Sequence, residues 1–371
     1  MSNSDLCVAY DRGSLRFEPD GPHAMRVHSI PAGAPFADLL VAGILREFCP
    51  TQEALADALI LVPTRRAARA LRAAFRRAAG DAPMLLPRLE PIGDVDDDEL
   101  LRDAGTGAPD LPPAISPTRR RAVLTEFLRG GAGGEDPALA CGLAESLLRL
   151  LDSAALEEVP LDRLDGVVAD DLAGHWQRSL EILKVLREAW PRHLEAQGLV
   201  DPAVRRIAAL RRRIAAWEQA PPRGTVIAAG STGSIPATAD LLGVVARLPR
   251  GALVLPGLDH DLDVAGWEAA REDPVHPQHG LAQLLDRLGV ARSAVTPWPG
   301  TEPAHPRFGL LRAALLPAAR TPDWLGMARP GPEAFAGLQH LEAPTQQHEA
   351  LAIALALREA LETRAASAAL I

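Results

Sequence analysis

At 371 residues the chain is long enough for two or three domains of roughly 100–200 residues each. Hydrophobic residues make up 47% and charged residues 23%, the balance of a folded globular chain rather than a disordered one. The net charge of −9 argues against a protein that is basic all over, although a local basic stripe suffices for nucleic-acid binding. The abundance of Ala, Arg, Gly and Pro matches a biased base composition and points to no function.

Cys7, Cys49 and Cys141 are odd in number and far apart, so neither a disulfide framework nor a cysteine-rich metal site is indicated. A reducing compartment follows. No window approaches the ~20 apolar residues of a membrane span, and the N-terminus lacks a signal pattern. The expected location is cytoplasmic, with no membrane partner. The ending Ala368-Ala369-Leu370-Ile371 reads as an unfinished strand after a long helix, and hence as the end of a fragment.

In chain order, residues 1–23 read as a leader. A strand is expected at Ala24 to Ile30, then a Pro/Gly loop, then a helix over Phe36 to Phe48 with apolar residues at helical spacing. A buried parallel strand is expected at Ala58 to Val62. Pro63-Thr64 opens a helix over Arg65 to Ala79, and the apolar stretch Met84 to Leu86 leads into Pro87. Strand alternating with helix implies an α/β layer with a parallel sheet. The acidic run Asp94, Asp96, Asp97, Asp98 and Glu99 marks a boundary and reads as a solvated segment, with a hard-cation site as the lesser alternative.

From about Ser116 to Trp217 the pattern is almost wholly helical. Apolar faces run through Leu143, Leu147, Leu148, Leu150 and Leu151, and through Leu180, Ile182, Leu183, Leu186 and Trp190. The α/β pattern returns with a strand at Thr225 to Ala229, a turn at Gly230 to Pro236, a helix from Ala237 to Arg247 and a strand at Ala252 to Leu255. Asp259 to about Pro332 reads as rich in proline and loops. Leu338 to Ala343 is strand-like, and Thr345 can cap a long helix from Gln346 to Leu361.

The strand, loop and helix at Val27 to Phe48 occupy the place of a phosphate loop. Phosphate binding there needs several glycines, a Lys for the β/γ-phosphates and a Ser or Thr for magnesium. The loop IPAGAPFADLL has Gly33 as its only glycine, followed by Ala34 and Pro35. The chain's single lysine, Lys184, lies elsewhere. ATP hydrolysis by this loop is therefore excluded. Gly33 alone also fails the dinucleotide fingerprint.

The turn Gly230-Ser231-Thr232-Gly233 admits three readings: a phosphate site at a helix start, a DNA-backbone contact, or a plain turn. Arg65, Arg69, Arg72 and Arg76 share one helix face, flanked by Arg66 and Arg77, and no acid lies between Ala58 and Ala79. That face suits phosphates, and equally a solvated helix surface. Asp259, His260, Asp261 and Asp263, with His276 and His279, read as a loop rather than a metal site. No G-x-S-x-G elbow surrounds Ser146, Ser179 or Ser234, and the scattered tryptophans read as core anchors.

Six stretches occur in order: LILVPTRRAARALRAAF, MLLPRLEPIGDVDDDEL, VIAAGSTGSIPATADLL, LVLPGLDHDLDVAGW, HPQHGLAQLLDRLGV and LEAPTQQHEALAIALALREAL. Together they resemble the AddB family of the AddAB helicase–nuclease, in its alphaproteobacterial form, over residues 24–371. The resemblance implies a degenerate superfamily 1 helicase-like fold: a RecA-like parallel sheet of the P-loop NTPase type with a large helical insertion. Residues 24–95 and 221–335 would form the first RecA-like domain. Residues 96–220 would be the insertion, and 336–371 the start of a second RecA-like domain.

The resemblance also implies that Thr64, Arg65, Arg66, Arg69 and Arg72 touch single-stranded DNA, with Ser231 and Thr232 on a later motif of the same cleft. Members of the family process double-strand breaks with AddA and scan one strand for a recombination signal. The sequence departs from the family in its phosphate loop, and it lacks the nuclease domain with its iron–sulfur cysteines and magnesium carboxylates. No cofactor or metal is therefore expected, and AddA would be the motor. The alternatives are a nucleotide- or phosphate-using α/β enzyme and a purely structural partner-binding module.

Overall fold

The computed structural model describes residues 25–93, 111–129, 136–161, 163, 182, 184–301, 307–363 and 368–370. The expected leader, the acidic run Asp94 to Glu99, Leu180 and Leu183 lie outside them. Two compact units are present. One spans Met1–Pro303 with Leu316–Thr321, and the other Ala304–Leu315 with Pro322–Ile371.

The larger unit is α/β. Its elements are β1 (Val27–Ile30), α1 (Phe36–Gly43), a π-helical turn (Ile44–Phe48), α2 (Gln52–Ala56), β2 (Leu59–Val62), α3 (Arg65–Ala79) and β3 (Arg88–Pro91). A helical stretch follows: α4 (Pro117–Leu128), α5 (Pro137–Leu156), a second π-turn (Val185–Ala189), α6 (Trp190–Ala196) and α7 (Pro202–Gln219). The α/β pattern then resumes with β4 (Val226–Ala229), α8 (Pro236–Arg247), β5 (Gly251–Pro256), α9 (Val264–Glu272), α10 (His279–Leu288) and β6 (Thr296–Pro297). The six strands form one sheet in the order β3-β2-β4-β5-β1-β6, every pair parallel. This is the expected α/β fold with a parallel sheet and helical insertion.

Alternation along the strands builds two cores. Leu59, Leu61, Val226, Ala228, Leu253 and Leu255 face one way, onto α7, α8 and α10. Ile30, Ile60, Val62, Ile227, Ala229, Ala252 and Val254 face the other, onto α1 and α3. Because both faces are covered, the strands read as continuous apolar runs. The insertion has a third core, built from Leu124, Leu147, Leu151, Leu186, Trp190 and Leu194.

Two ionic nodes tie the helices together. In the insertion, the buried Arg120 pairs with Asp201 at 2.6 Å and Asp152 at 2.8 Å, and Trp190 Nε1 donates to Asp201 at 2.8 Å. Burial pushes the Asp201 carboxyl up, against the pull of Arg120 and Trp190. Between α7, α8 and α10, Asp240 accepts from Arg211 and from Arg287 at 2.7 Å, while Arg211 also holds Glu158. A third pair, Arg213 with Glu90, is wholly buried and joins α7 to β3.

The first π-turn has an identifiable cause. Trp298 follows β6, donates from Nε1 to the Leu39 carbonyl at 2.9 Å and stacks on Phe48 at 5.0 Å. A Cβ on Gly43 would lie 2.3 Å from Trp298 Nε1, so only glycine admits the indole there.

The apolar stretch Met84 to Leu86 leads into the strand Arg88–Pro91, and Leu85 and Leu86 are exposed. The register pairs Leu89 with Ile60 and sets Leu89 in the core. Two expectations are corrected. The stretch read as loops holds α9, α10, β6 and a further helix over Arg307–Ala314, and α10 buries Leu281, Leu284, Leu285 and Leu288. Pro274 and Pro277 lie between α9 and α10. In the smaller unit, Leu338 to Ala343 is irregular and almost wholly exposed. A strand requires a neighbouring ladder, and no strand of that unit stands among the described residues. That unit does contain α11 (Arg307–Ala314) and α12 (Gln346–Glu362), the latter capped by Thr345 as expected. No described helix is long and apolar enough to cross a membrane.

Gly43→Ala should destabilise the protein by roughly 1–3 kcal/mol through overpacking against Trp298. An unchanged urea midpoint would show that the indole moves aside without cost.

A second expectation concerns acid. Burial raises the Asp240 carboxyl, but hydrogen bonds and charge from Arg287 and Arg211 prevail and hold it below its ordinary value of 3.8. A carboxyl depressed on folding contributes stability that is present above its unfolded pKa and is lost as the pH falls through the folded one. Stability should therefore drop as the pH falls below 3.8, and Asp240→Asn should flatten that slope while lowering stability at neutral pH. Thermal melts across this range in which the variant keeps the full acid slope would contradict this account.

Candidate nucleic-acid interface

Parallel strands place all their carboxyl ends on one edge, where open α/β sheets bind ligands. Here that edge collects the loops after Ile30, Val62, Ala229 and Pro256. All of the residues singled out for phosphate or DNA contact lie on these loops or on the helices they open.

The loop after β1 cannot grip phosphate. Gly33 turns it with φ of 73°, and Ala34 N–H reaches the Pro31 carbonyl at 3.4 Å. Pro35 stands at the helix start without an N–H, and no side chain caps α1. Ala34 and Phe36 pack on the apolar core. The ring of Phe36 lies 3.6 Å from where a Cβ on Gly230 would stand, and Pro63 Cδ lies 3.7 Å from it. Phe36 and Pro63 thus pack beside the Gly230 turn.

The loop after β2 is different. Thr64 Oγ1 caps α3 by accepting from Ala67 N at 3.1 Å. Arg65 and Arg66 occupy the first turn, where the helix dipole favours acids and repels cations. Arg65, Arg66, Arg69, Arg72 and Arg76 are exposed, while Ala68, Leu71, Ala74 and Phe75 face the core. Arg77 lies off this face and is bound to Asp38 at 2.6 Å.

The Gly230 turn adjoins Pro63, so the structure brings the Thr64 and Ser231 loops together. Their hydroxyls have different duties. Ser231 is buried and accepts from Gly233 N at 3.3 Å, which holds the turn. Thr232 is exposed. Ile235 offers α8 no side-chain cap, and Pro236 opens it without an N–H. The start of α8 is thus a weaker anion site than that of α3.

On the loop after β5 the acidic and histidine residues are structural. Asp259 accepts from Asp261 N at 3.0 Å and Leu262 N at 3.2 Å, and Asp263 caps α9. His260 Nε2 meets Ser29 Oγ at 2.7 Å, a contact that sequence reasoning missed. Burial and nearby Arg292 lower the His260 pKa against Asp261 and Asp259, so the ring is neutral near pH 7. Ser29 is only 2% exposed, which denies a substrate access to its hydroxyl. The pair fastens the β5 loop to β1, beside the bond from Gly257 N to Ile30 O at 2.7 Å.

Among the described residues no group of three or more His, Cys, Asp or Glu side chains could hold a metal ion. Buried Cys49 packs in the sheet core, and Cys141 sits on α5 of the insertion, so the two do not form a ligand set. One cavity, about 470 Å³, lies at the opposite, amino-terminal edge among Asp57, Arg88, Trp217 and Thr225.

The chain matches no protein-family profile and no curated protein.

Titration with magnesium–ATP should release no binding heat at millimolar nucleotide, because the β1 loop offers no lysine and a single glycine. Micromolar binding would revive the nucleotide-enzyme reading.

Proposed function

We propose that the chain is a non-catalytic, helicase-like DNA-binding module of the AddB type, acting in double-strand break repair beside an AddA motor. The observation that carries this reading is the start of α3. Two arginines stand in the first turn of a helix that opens at the carboxyl edge of a parallel sheet, and the loop after β1 on the same edge carries no lysine. Placing cations at a helix N-terminus costs stability. A bound anion reverses that cost. An edge that cannot use ATP but retains a cationic contact suits a module that holds a strand while another subunit supplies the force.

Thr64, Arg65, Arg66, Arg69 and Arg72 would contact the backbone from the β2 side, and exposed Thr232 would do so from the β4 side. Ser231 would act through the turn it holds. The family resemblance supplies AddA as the partner and a single strand at a duplex end as the ligand. Iron–sulfur and magnesium chemistry would belong to a nuclease domain outside this chain.

Oligothymidylate binding followed by fluorescence anisotropy tests the reading. The double substitution Arg65→Ala, Arg66→Ala should weaken binding about tenfold at low salt, equally for every base sequence. Wild type and variant binding alike, or a loss confined to one sequence, would refute a backbone contact at this edge.

A further inference from the structure

Arginine-rich helices recur in this chain, and most of their arginines have partners. On α4, Arg119 reaches Gln197, Arg120 reaches Asp152 and Asp201, and Arg121 reaches Glu145. On α7, Arg211 and Arg213 are held by carboxylates, while Arg205 and Arg206 donate to backbone carbonyls. Arg271 on α9 and Arg287 on α10 also pair with acids.

The stripe on α3 breaks this pattern. Arg69, Arg72 and Arg76 are exposed and meet no acid among the described residues, although the chain as a whole carries a net charge of −9. At 100° per residue, Arg65, Arg69, Arg72 and Arg76 lie within about 60° of one another around the helix. Neighbours of like charge three and four residues apart destabilise an isolated helix. The repulsion is concentrated in one line, and that line runs the length of the helix rather than staying at its start.

Resting on the DNA-binding reading above, we propose that α3 is a backbone track: a single nucleic-acid strand runs along the helix axis, from the sheet edge at Arg65 past Arg69 and Arg72 to Arg76. The stripe spans eleven residues, or roughly 16 Å of helix. At the ~3.4 Å per phosphate of a stacked strand, that covers on the order of five phosphates. Arg76 joins the contact set, although it lies three turns from the sheet edge. Arg77 does not, because Asp38 neutralises it. No base-reading group stands on this face, where the arginines are interleaved with alanines, so the track is indifferent to sequence.

Anisotropy with labelled oligothymidylates of about three to twelve nucleotides, over a salt series, tests the track. Affinity should rise with length to about five nucleotides before the increase slackens, and the wild-type salt slope should be about −2.8 for four arginines at 0.7 each. Arg72→Ala with Arg76→Ala should lower the slope by about 1.4, and Arg65→Ala alone by about 0.7. Alanine at exposed helical positions raises helix propensity and relieves the repulsion, so these variants should melt no lower than wild type. Arg72→Lys with Arg76→Lys should keep the slope. If only the Arg65/Arg66 pair matters, the track is overturned and the edge contact survives. If neither pair matters, the track and the DNA reading of this helix both fall. Tighter binding of a duplex of equal length would overturn the single strand as occupant.

Discussion

Every strand in the sheet runs the same way, and most of the molecule follows from that constraint. Parallel neighbours cannot be joined by a tight turn, so each connection is a crossover that lays helices on the sheet faces. Both faces are then covered, which requires strands such as LILV and VIAA that are apolar on both sides. The same constraint delivers the loops after β1, β2, β4 and β5 to one edge. Residues 33, 64, 231 and 260 are distant in sequence, yet they share that edge because parallel pairing leaves no other place for them.

At that edge Phe36 and Pro63 pack beside the Gly230 turn. The His260–Ser29 bond then fastens the β5 loop onto β1. On α3, Arg69, Arg72 and Arg76 are exposed and meet no acid among the described residues. Many other arginines are neutralised by carboxylates, down to the sealed Arg213–Glu90 pair. The contrast within one molecule is more informative than the arginine content, because composition bias would enrich arginine on every helix alike.

Much of this was legible in the sequence. The LILV run, the Thr64 cap and the span of α3 follow from local rules, as does the Thr345 cap of α12. The errors share a physical origin in tertiary partners. The strand Arg88–Pro91 was not marked in advance, because its Glu90 is accommodated inside the sheet by the buried Arg213. The α10 helix was hidden by prolines on either side of it. The π-turn could not be foreseen either, since its cause is Trp298, some 250 residues further along the chain. For the site, the shared face of the arginines was visible, whereas the duty of Ser231 within its own turn was not.

The most enclosed helix of the molecule sets a limit on modularity. Every residue of α8 from Ala237 to Ala246 is buried, because α7 and α10 cover what the sheet does not. Through Ile207, Leu210, Ile214 and Trp217, α7 belongs to that core as much as to the insertion whose last element it forms. The helical insertion is therefore not a detachable ornament. Excising it up to residue 220 would strip the roof from α8 and expose an apolar helix with no polar side to turn outward. Any shortened version of this protein must keep α7 as part of the sheet's own architecture.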